Sequence, residues 1–291
     1  MKKLAVFSAL ISSLLAFGQF DKLRDVSYET RLLEAENQYV IFPPKPDVDS
    51  IIYGVMYFEP KEGFNFRYLG SFWKKDNEYT LGQSELRSNI KTPWQNLDLK
   101  VGLLPQEIVQ TLNLPDSKSW SRNATIQHYS SNELILSRAG FLNAYGFPQD
   151  ALHVLEPLVK SEKWSTQLFF ELAFANNALK LHDIAKQYLD KAFRLGFTDD
   201  LLLKEMHFTL MYQLKTKEGA AFLKSKLSQF KNSLFLSECI LNQVYSAYRE
   251  KDFAMTQEWI DVYRKEIGND RYKTTIDQFE KALQLRNNPI K

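Results

Sequence analysis

Two stretches decide the fold. The first is Leu142-Asn-Ala-Tyr-Gly-Phe-Pro-Gln-Asp-Ala151-Leu-His-Val-Leu155-Glu-Pro-Leu158, and the second is Phe169-Phe-Glu-Leu-Ala173-Phe-Ala-Asn-Asn-Ala-Leu-Lys-Leu-His-Asp-Ile-Ala185-Lys-Gln-Tyr-Leu189-Asp-Lys-Ala192. Ala151 and Ala185 lie 34 residues apart, and each sits in a run of apolar residues at helical spacing. A helical hairpin of this size cannot hide its apolar face alone, so a repeat at this period requires neighbouring hairpins to stack. The residue sizes fit such packing. Small Ala173 lets two helices approach, Phe169, Leu172 and Leu189 fill the space between hairpins, and Ala151 and Ala185 are expected where a second helix crosses the first.

Working outward, the pattern is helical from about Glu133 to Leu285, with glycine and proline near the turns, as in Gly146-Phe-Pro148. It predicts hairpins over 133–161, 166–195, 200–230 and 234–267, and a last helix over 271–286. That helix carries Tyr272, Ile276, Phe279 and Leu283 as one stripe with Asp277, Glu280 and Lys281 beside it, as the exposed end of a stack needs. Residues 135–195 resemble tetratricopeptide repeats. Phe169, Leu172, Ala173, Ala185, Leu189 and Ala192 follow that motif's large-large-small, small-large-small order, Asn176 departs from it, and in the preceding unit Ala139, Ala151 and Leu155 fit while Arg138 does not. In the third unit Leu203, Met206 and Leu210 keep one frame, but Ala220 and Leu227 read as shifted by one. In the fourth, Ala254 falls 34 after Ala220 while Tyr245, Ala247 and Tyr248 allow two frames.

The resemblance implies an α-solenoid of about four hairpins plus a capping helix, whose first helices line a concave face. By position, that face is Phe170, Phe174 and Asn177 in the second unit and Lys204, Phe208 and Met211 in the third, with Gln243 extending it. Rings beside amide and ammonium groups suit an extended peptide. Phe174 and Phe208 serve equally well as packing between hairpins.

The segment 19–132 reads as a small α+β domain. Tyr28 to Tyr39 has helical spacing at Leu32, Leu33 and Ala35, and Pro43-Pro44-Lys-Pro46 ends it. Ile51 to Phe58 is apolar on both faces, as in a buried strand. After the turn residues Pro60-Lys-Glu-Gly63, Phe64, Phe66, Tyr68 and Phe72 alternate with Asn65, Arg67 and Ser71, placing aromatics on one face and polar groups on the other. Residues 51–73 are therefore expected to form a hairpin, and Lys74-Lys-Asp-Asn-Glu78 a charged turn. Leu97 to Leu103 adds a strand, and Pro105 opens a short helix running to Leu112.

The first eighteen residues have the order of an export signal: Lys2-Lys3, the apolar run Leu4 to Phe17, and small residues before a cut between Gly18 and Gln19. No other stretch reaches the roughly 20 apolar residues of a membrane-spanning helix, so no transmembrane segment is expected in the mature chain. The formal charge is +2, and removal of Lys2 and Lys3 makes the mature chain neutral. With no dense basic block, nucleic acid is excluded as a partner. The whole layout also resembles exported tetratricopeptide proteins of the Bacteroidetes type, in the phrases Gly63-Phe-Asn-Phe66 and Phe170-Glu-Leu-Ala-Phe174 and in the leader ending before Gln19. That likeness implies a periplasmic or secreted location and a protein or peptide partner in the envelope. Asp49-Ser50-Ile51 resembles an O-glycosylation triplet of such bacteria and Asn123-Ala-Thr125 fits an N-glycan pattern; a cap and a chance match explain them as well.

Motifs of catalysis are absent. None of the 4 histidines (His128, His153, His182 and His207) stands in a His-Glu-x-x-His pair. No Walker loop, dinucleotide fingerprint or Gly-x-Ser-x-Gly elbow occurs. Ser71-Phe-Trp-Lys74 falls in a predicted strand and Ser228-Gln-Phe-Lys231 at a helix end, so neither makes a Ser–Lys nucleophile. Asp47-Val-Asp49 lacks the glycine and distal glutamate of a calcium loop, and Glu29, Glu34 and Glu36 read as a solvated helix face. Cys239, the only cysteine, reads as a small buried hydrophobe. No cofactor or metal is expected and the chain reads as non-catalytic. Two other functions compete with a peptide-binding scaffold. One is glycan binding on Tyr53, Tyr57, Tyr68, Trp73 and Trp94, residues that a core also needs. The other is a hydrolase sited between the two domains.

Overall fold

In a computed structural model, residues 20–75, 78–84, 90–122 and 129–287 are described. The expected leader, Asn123-Ala-Thr125 and His128 lie outside them. The chain divides into two compact units between Phe141 and Leu142.

The first unit is built on an antiparallel sheet: β1 (Thr30–Arg31), β2 (Tyr39–Ile41), β3 (Ser50–Glu59), β4 (Gly63–Lys75), β5 (Glu78–Ser84), β6 (Lys91–Pro93) and β7 (Lys100–Leu103), in the order β1-β7-β2-β3-β4-β5, with β6 also on β4. Two short helices follow, α1 (Gln106–Thr111) and α2 (Ser119–Arg122). The hairpin β3–β4 is the predicted one, with Glu59 opposite Gly63 and Phe58 opposite Phe64. Its alternation is broken where the sequence reading kept it continuous. Tyr53 pairs with Gly70 and Gly54 with Tyr68, so Leu69 is an extra residue in β4. The bulge turns Phe72 to the opposite face from Phe64 and Phe66. Ile51, Tyr53, Val55, Tyr57, Leu69 and Phe72 make one core with Leu23 and Ile108. On the other face Met56, Phe58, Phe64 and Phe66 are also buried. Asn65 is correspondingly buried, not solvated. Gly54 is forced by the bulge, since a Cβ there would lie 2.1 Å from the Arg67 carbonyl oxygen.

The expected helix over Tyr28–Tyr39 does not form. That stretch is β1, a 3-10 turn at Leu32–Ala35, and β2. Leu32 and Ala35 are buried three residues apart, a spacing one 3-10 turn satisfies as well as a helix. The Leu32 and Leu33 N–H groups donate to Leu99 and Leu97 carbonyls instead of within a helix. Of the acidic residues assigned to a solvated face, Glu29 and Glu34 are exposed. Glu36 is an ion-pair partner of Arg138, whose guanidinium also lies 4.9 Å from the Phe58 ring centroid.

The rest is helical: α3 (Ser131–Ala144), α4 (Pro148–Lys160), α5 (Thr166–Ala178), α6 (His182–Arg194), α7 (Asp200–Tyr212), α8 (Thr216–Lys226), α9 (Ser233–Arg249), α10 (Phe253–Glu266) and α11 (Lys273–Asn287). These follow the predicted hairpins closely. Each first helix of a pair ends on a residue with positive φ: Gly146 (85°), Lys180 (63°), Leu214 (57°) and Lys251 (60°). The next N–H reaches back to close the turn, as in Leu181 to the Asn176 carbonyl at 2.8 Å and Lys215 to Leu210 at 2.9 Å. Ser165 caps α5 by accepting from the Leu168 N–H at 3.1 Å, and Asp252 caps α10 by accepting from Met255 at 3.0 Å.

The register of the third hairpin corrects the sequence reading. Gly219 stands 34 after Ala185 and Leu223 stands 34 after Leu189, so the frame does not slip to Ala220 and Leu227. Leu155, Leu189 and Leu223 are all fully buried. The size pattern is exchanged: buried His207 occupies the place of Ala139 and Ala173, and glycine replaces alanine on the crossing helix. A Cβ on Gly219 would lie 2.1 Å from Met211 Cε. In the fourth hairpin, α9 has 17 residues where α5 and α7 have 13, which moves the closing turn three residues later and makes Ile260 the counterpart of Leu223.

Ala185 is fully buried in the cluster that joins the second and third hairpins. Ala185→Leu is expected to cost about 1–3 kcal/mol by overpacking, read as a lower urea midpoint at an unchanged m-value. An unshifted midpoint would mean that the crossing has room to spare.

Candidate functional site: an aromatic groove on the helical unit

The first helices α5 and α7 carry a groove of about 510 Å³. Of the residues assigned by position, Phe170, Phe174, Asn177, Lys204 and Phe208 line it together. His182 and Tyr212 join them. The His182 and Tyr212 rings stack at 5.2 Å and 6°, and Tyr212 continues to Phe208 at 6.4 Å. Phe170 and Phe174 are 5.8 Å apart on the facing helix. Tyr212 is 57% exposed, and both phenylalanines and Phe208 are half-buried. Such a run of unburied rings is not what a core requires.

The floor is polar and ordered. Asn177 Nδ2 donates to Glu205 Oε1 at 2.7 Å and to Thr209 Oγ1 at 2.8 Å, and Thr209 passes its own proton to the Glu205 carbonyl at 2.8 Å. With both amide protons used, only Oδ1 of Asn177 faces His182 Nδ1, at 3.1 Å. Nδ1 therefore carries a proton, and the lone pair of the neutral tautomer falls on Nε2. Burial pushes the Glu205 carboxyl above its ordinary range; the bond from Asn177 and nearby Lys204 oppose this, and Glu238 adds to it. Lys204 pairs with Glu238 at 3.2 Å and lies 5.5 Å and 4.8 Å from the Phe208 and Phe235 ring centroids.

The same construction stands one unit earlier. Asn143 donates to Glu171 at 2.7 Å, and burial, opposed by that bond, raises Glu171 to about 6. Asn143 and Asn177 are 34 residues apart, as are Glu171 and Glu205. One unit further on, the equivalent residues are Met211 and Cys239, so the polar pair becomes an apolar one. No protein-family model, curated protein or solved structure matches the chain. The groove must therefore be read from its own geometry.

Two assignments are corrected by that geometry. Met211 is 8% exposed and packs in the interior, because it takes the buried position of Asn177. Gln243 is fully buried, meeting His207 Nε2 at 3.1 Å and donating to the Thr216 carbonyl at 3.0 Å. Asn177 reaches the groove with every hydrogen-bonding group committed, so it offers no free amide to a peptide backbone. Glu205, His182 and Tyr212 were missed. The signal for the first was present in the 34-residue recurrence of Asn and Glu, while Tyr212 and His182 meet only when the turn between helices is closed.

The other candidates fall apart in space. Tyr53 and Tyr57 are fully buried, while Trp73 is 51% exposed and Trp94 packs on Phe42 at 5.3 Å, so the five aromatics present no common surface to a sugar. Ser71 and Lys74 stand three apart in a strand, on opposite faces. Cys239 is buried, and burial raises its thiol. Among the described residues, no three His, Cys, Asp or Glu side chains converge as metal ligands, and no helix is long and apolar enough to cross a membrane.

Proposed function

We propose that the helical unit is a tetratricopeptide-like array and that the exported protein is a non-catalytic scaffold, taking a protein or peptide of the cell envelope into the aromatic groove. The array reading is supported by side-chain contacts that recur at one sequence separation between successive hairpins. Lys204 with Glu238, Thr216 with Glu250 and Lys224 with Glu258 each join residues 34 apart. Contacts of that kind arise when hairpins stack by translation. The observation that carries the binding reading is the ring row Phe170, Phe174, Phe208 and Tyr212, left accessible above a floor whose hydrogen bonds are already satisfied. The floor is held in place by its own hydrogen bonds, and the rings supply apolar contact area.

A photo-crosslinking amino acid at Tyr212 in the native cell tests this. The expected result is a defined adduct that is absent with the same probe at Leu195, which is also about half exposed. Equal labelling from both positions, or none from Tyr212, overturns the groove as the docking face.

A further inference from the structure

One charge in the groove lacks a counter-charge at bonding distance. Among the described residues, the Glu205 side chain is held by the neutral amide of Asn177, and the nearest cation, Lys204, is bonded to Glu238. With Glu205 ionised, Glu205, Glu238 and Lys204 together carry one negative charge in excess. Lys180 also lines the groove but is exposed, where solvent and salt screen it. A carboxylate that is 5% exposed and lacks a cation is a cost to the fold, because burial disfavours its charged form. A partner that brings a cation relieves that cost.

The walls narrow the kind of cation. They are aromatic faces, and the Lys204 ammonium already rests near one of them, Phe208, as well as near Phe235 of α9. Guanidinium is planar, stacks on such faces, donates in a fork that fits carboxylate, and is less strongly hydrated than ammonium. Acceptors are also what the remaining groups offer, namely the Glu205 carboxylate and the Nε2 lone pair of His182. We propose that the groove selects a partner segment carrying an arginine side chain, with the guanidinium donating to Glu205 between the rings of Phe174 and Phe208. This rests on the groove being the docking face.

The test is fluorescence anisotropy of the mature chain with labelled octapeptides of serine and alanine that differ at one central residue: arginine, lysine, alanine or glutamate. A charge-assisted bond to a desolvated carboxylate should favour arginine over alanine by at least about tenfold, with lysine between them. In Glu205→Gln, which keeps an acceptor for Asn177, that ratio should collapse while the melting temperature holds or rises. A retained ratio in Glu205→Gln overturns the assignment, as does tightest binding of the glutamate peptide, which would mean an acidic partner. Tyr212→Ser separates the two readings. If it weakens every peptide while Glu205→Gln leaves the ratio intact, the groove stands and the arginine preference fails. If neither variant alters arginine-peptide binding, or no peptide binds the wild type, both readings fail.

Discussion

Trp259→Ala is expected to lower the stability of the helical unit by about 3–5 kcal/mol. Trp259 lies on α10, is fully buried, and is among the largest side chains hidden completely. It packs in a cluster with Leu223 from α8, Ile240 and Val244 from α9, Tyr263 from its own helix and Ile276 from α11. Four helices therefore contribute to its cluster, and an alanine leaves a void among elements that cannot all close on it at once. The indole N–H has no hydrogen-bond partner among the described residues, so part of what tryptophan contributes is offset by an unsatisfied donor. Trp259→Phe removes that donor along with some volume, and should cost much less than the alanine. Urea titration followed by helix signal decides this, and amide exchange should show α10 and α11 opening first. Equal losses in the two variants would mean that the N–H is satisfied by solvent; a small loss in alanine would mean that the cluster repacks.

The second large effect is a pH dependence with two opposed parts. Burial, partly offset by the bond to Gln243, lowers His207 to about 4 from an ordinary value of 6.5. The unfolded chain takes up this proton as pH falls through 6.5, and the folded chain resists until about 4. The neutral histidine thus contributes roughly 3 kcal/mol above pH 6.5, and this is lost as pH falls toward 4. Glu171 acts in the reverse sense, since its folded value of about 6 lies above 4.5. Its contribution, roughly 2 kcal/mol, is complete below 4.5 and disappears as pH rises through 6. Glu205 is shifted in the same direction as Glu171. The wild type should therefore show a shallow profile between pH 4 and 6.5 that hides both slopes. His207→Gln should flatten the acid-side loss, and Glu171→Gln should steepen it while raising stability at pH 7. Superimposable profiles for His207→Gln and wild type would exclude buried His207 as the acid-sensitive group.

The hairpin boundaries were legible because they rest on local rules: apolar spacing, Pro148 at a helix start, and turns 34 residues apart through the first three hairpins. The errors lie where a non-local event reset a local pattern. Leu32 and Ala35 looked helical because one 3-10 turn and one α turn bury similar spacings, and only pairing with the strand near Leu99 separates them. The strand β5 was unreadable because it is an edge strand, with Leu81 39% exposed and little apolar content to alternate. In the third hairpin, alanine matching failed since the small residue had become Gly219 and the bulk had moved to His207 across the contact. For the groove, position alone found five of its lining residues. It could not separate a side chain aimed into the opening from one turned a third of a turn away, which is why Met211 and Gln243 were included.

The extra residue at Leu69 has a consequence for how this chain can change length. It reverses the parity of β4 midway, so Phe66 serves one layer and Phe72 the other. A single deletion anywhere between them would turn one of these rings away from the layer it fills and bring its neighbour in the strand into that place. Loss or gain of two residues would preserve both layers. Variation in this strand should therefore come in even steps, while the turn at Glu59–Gly63 remains free to lengthen by one.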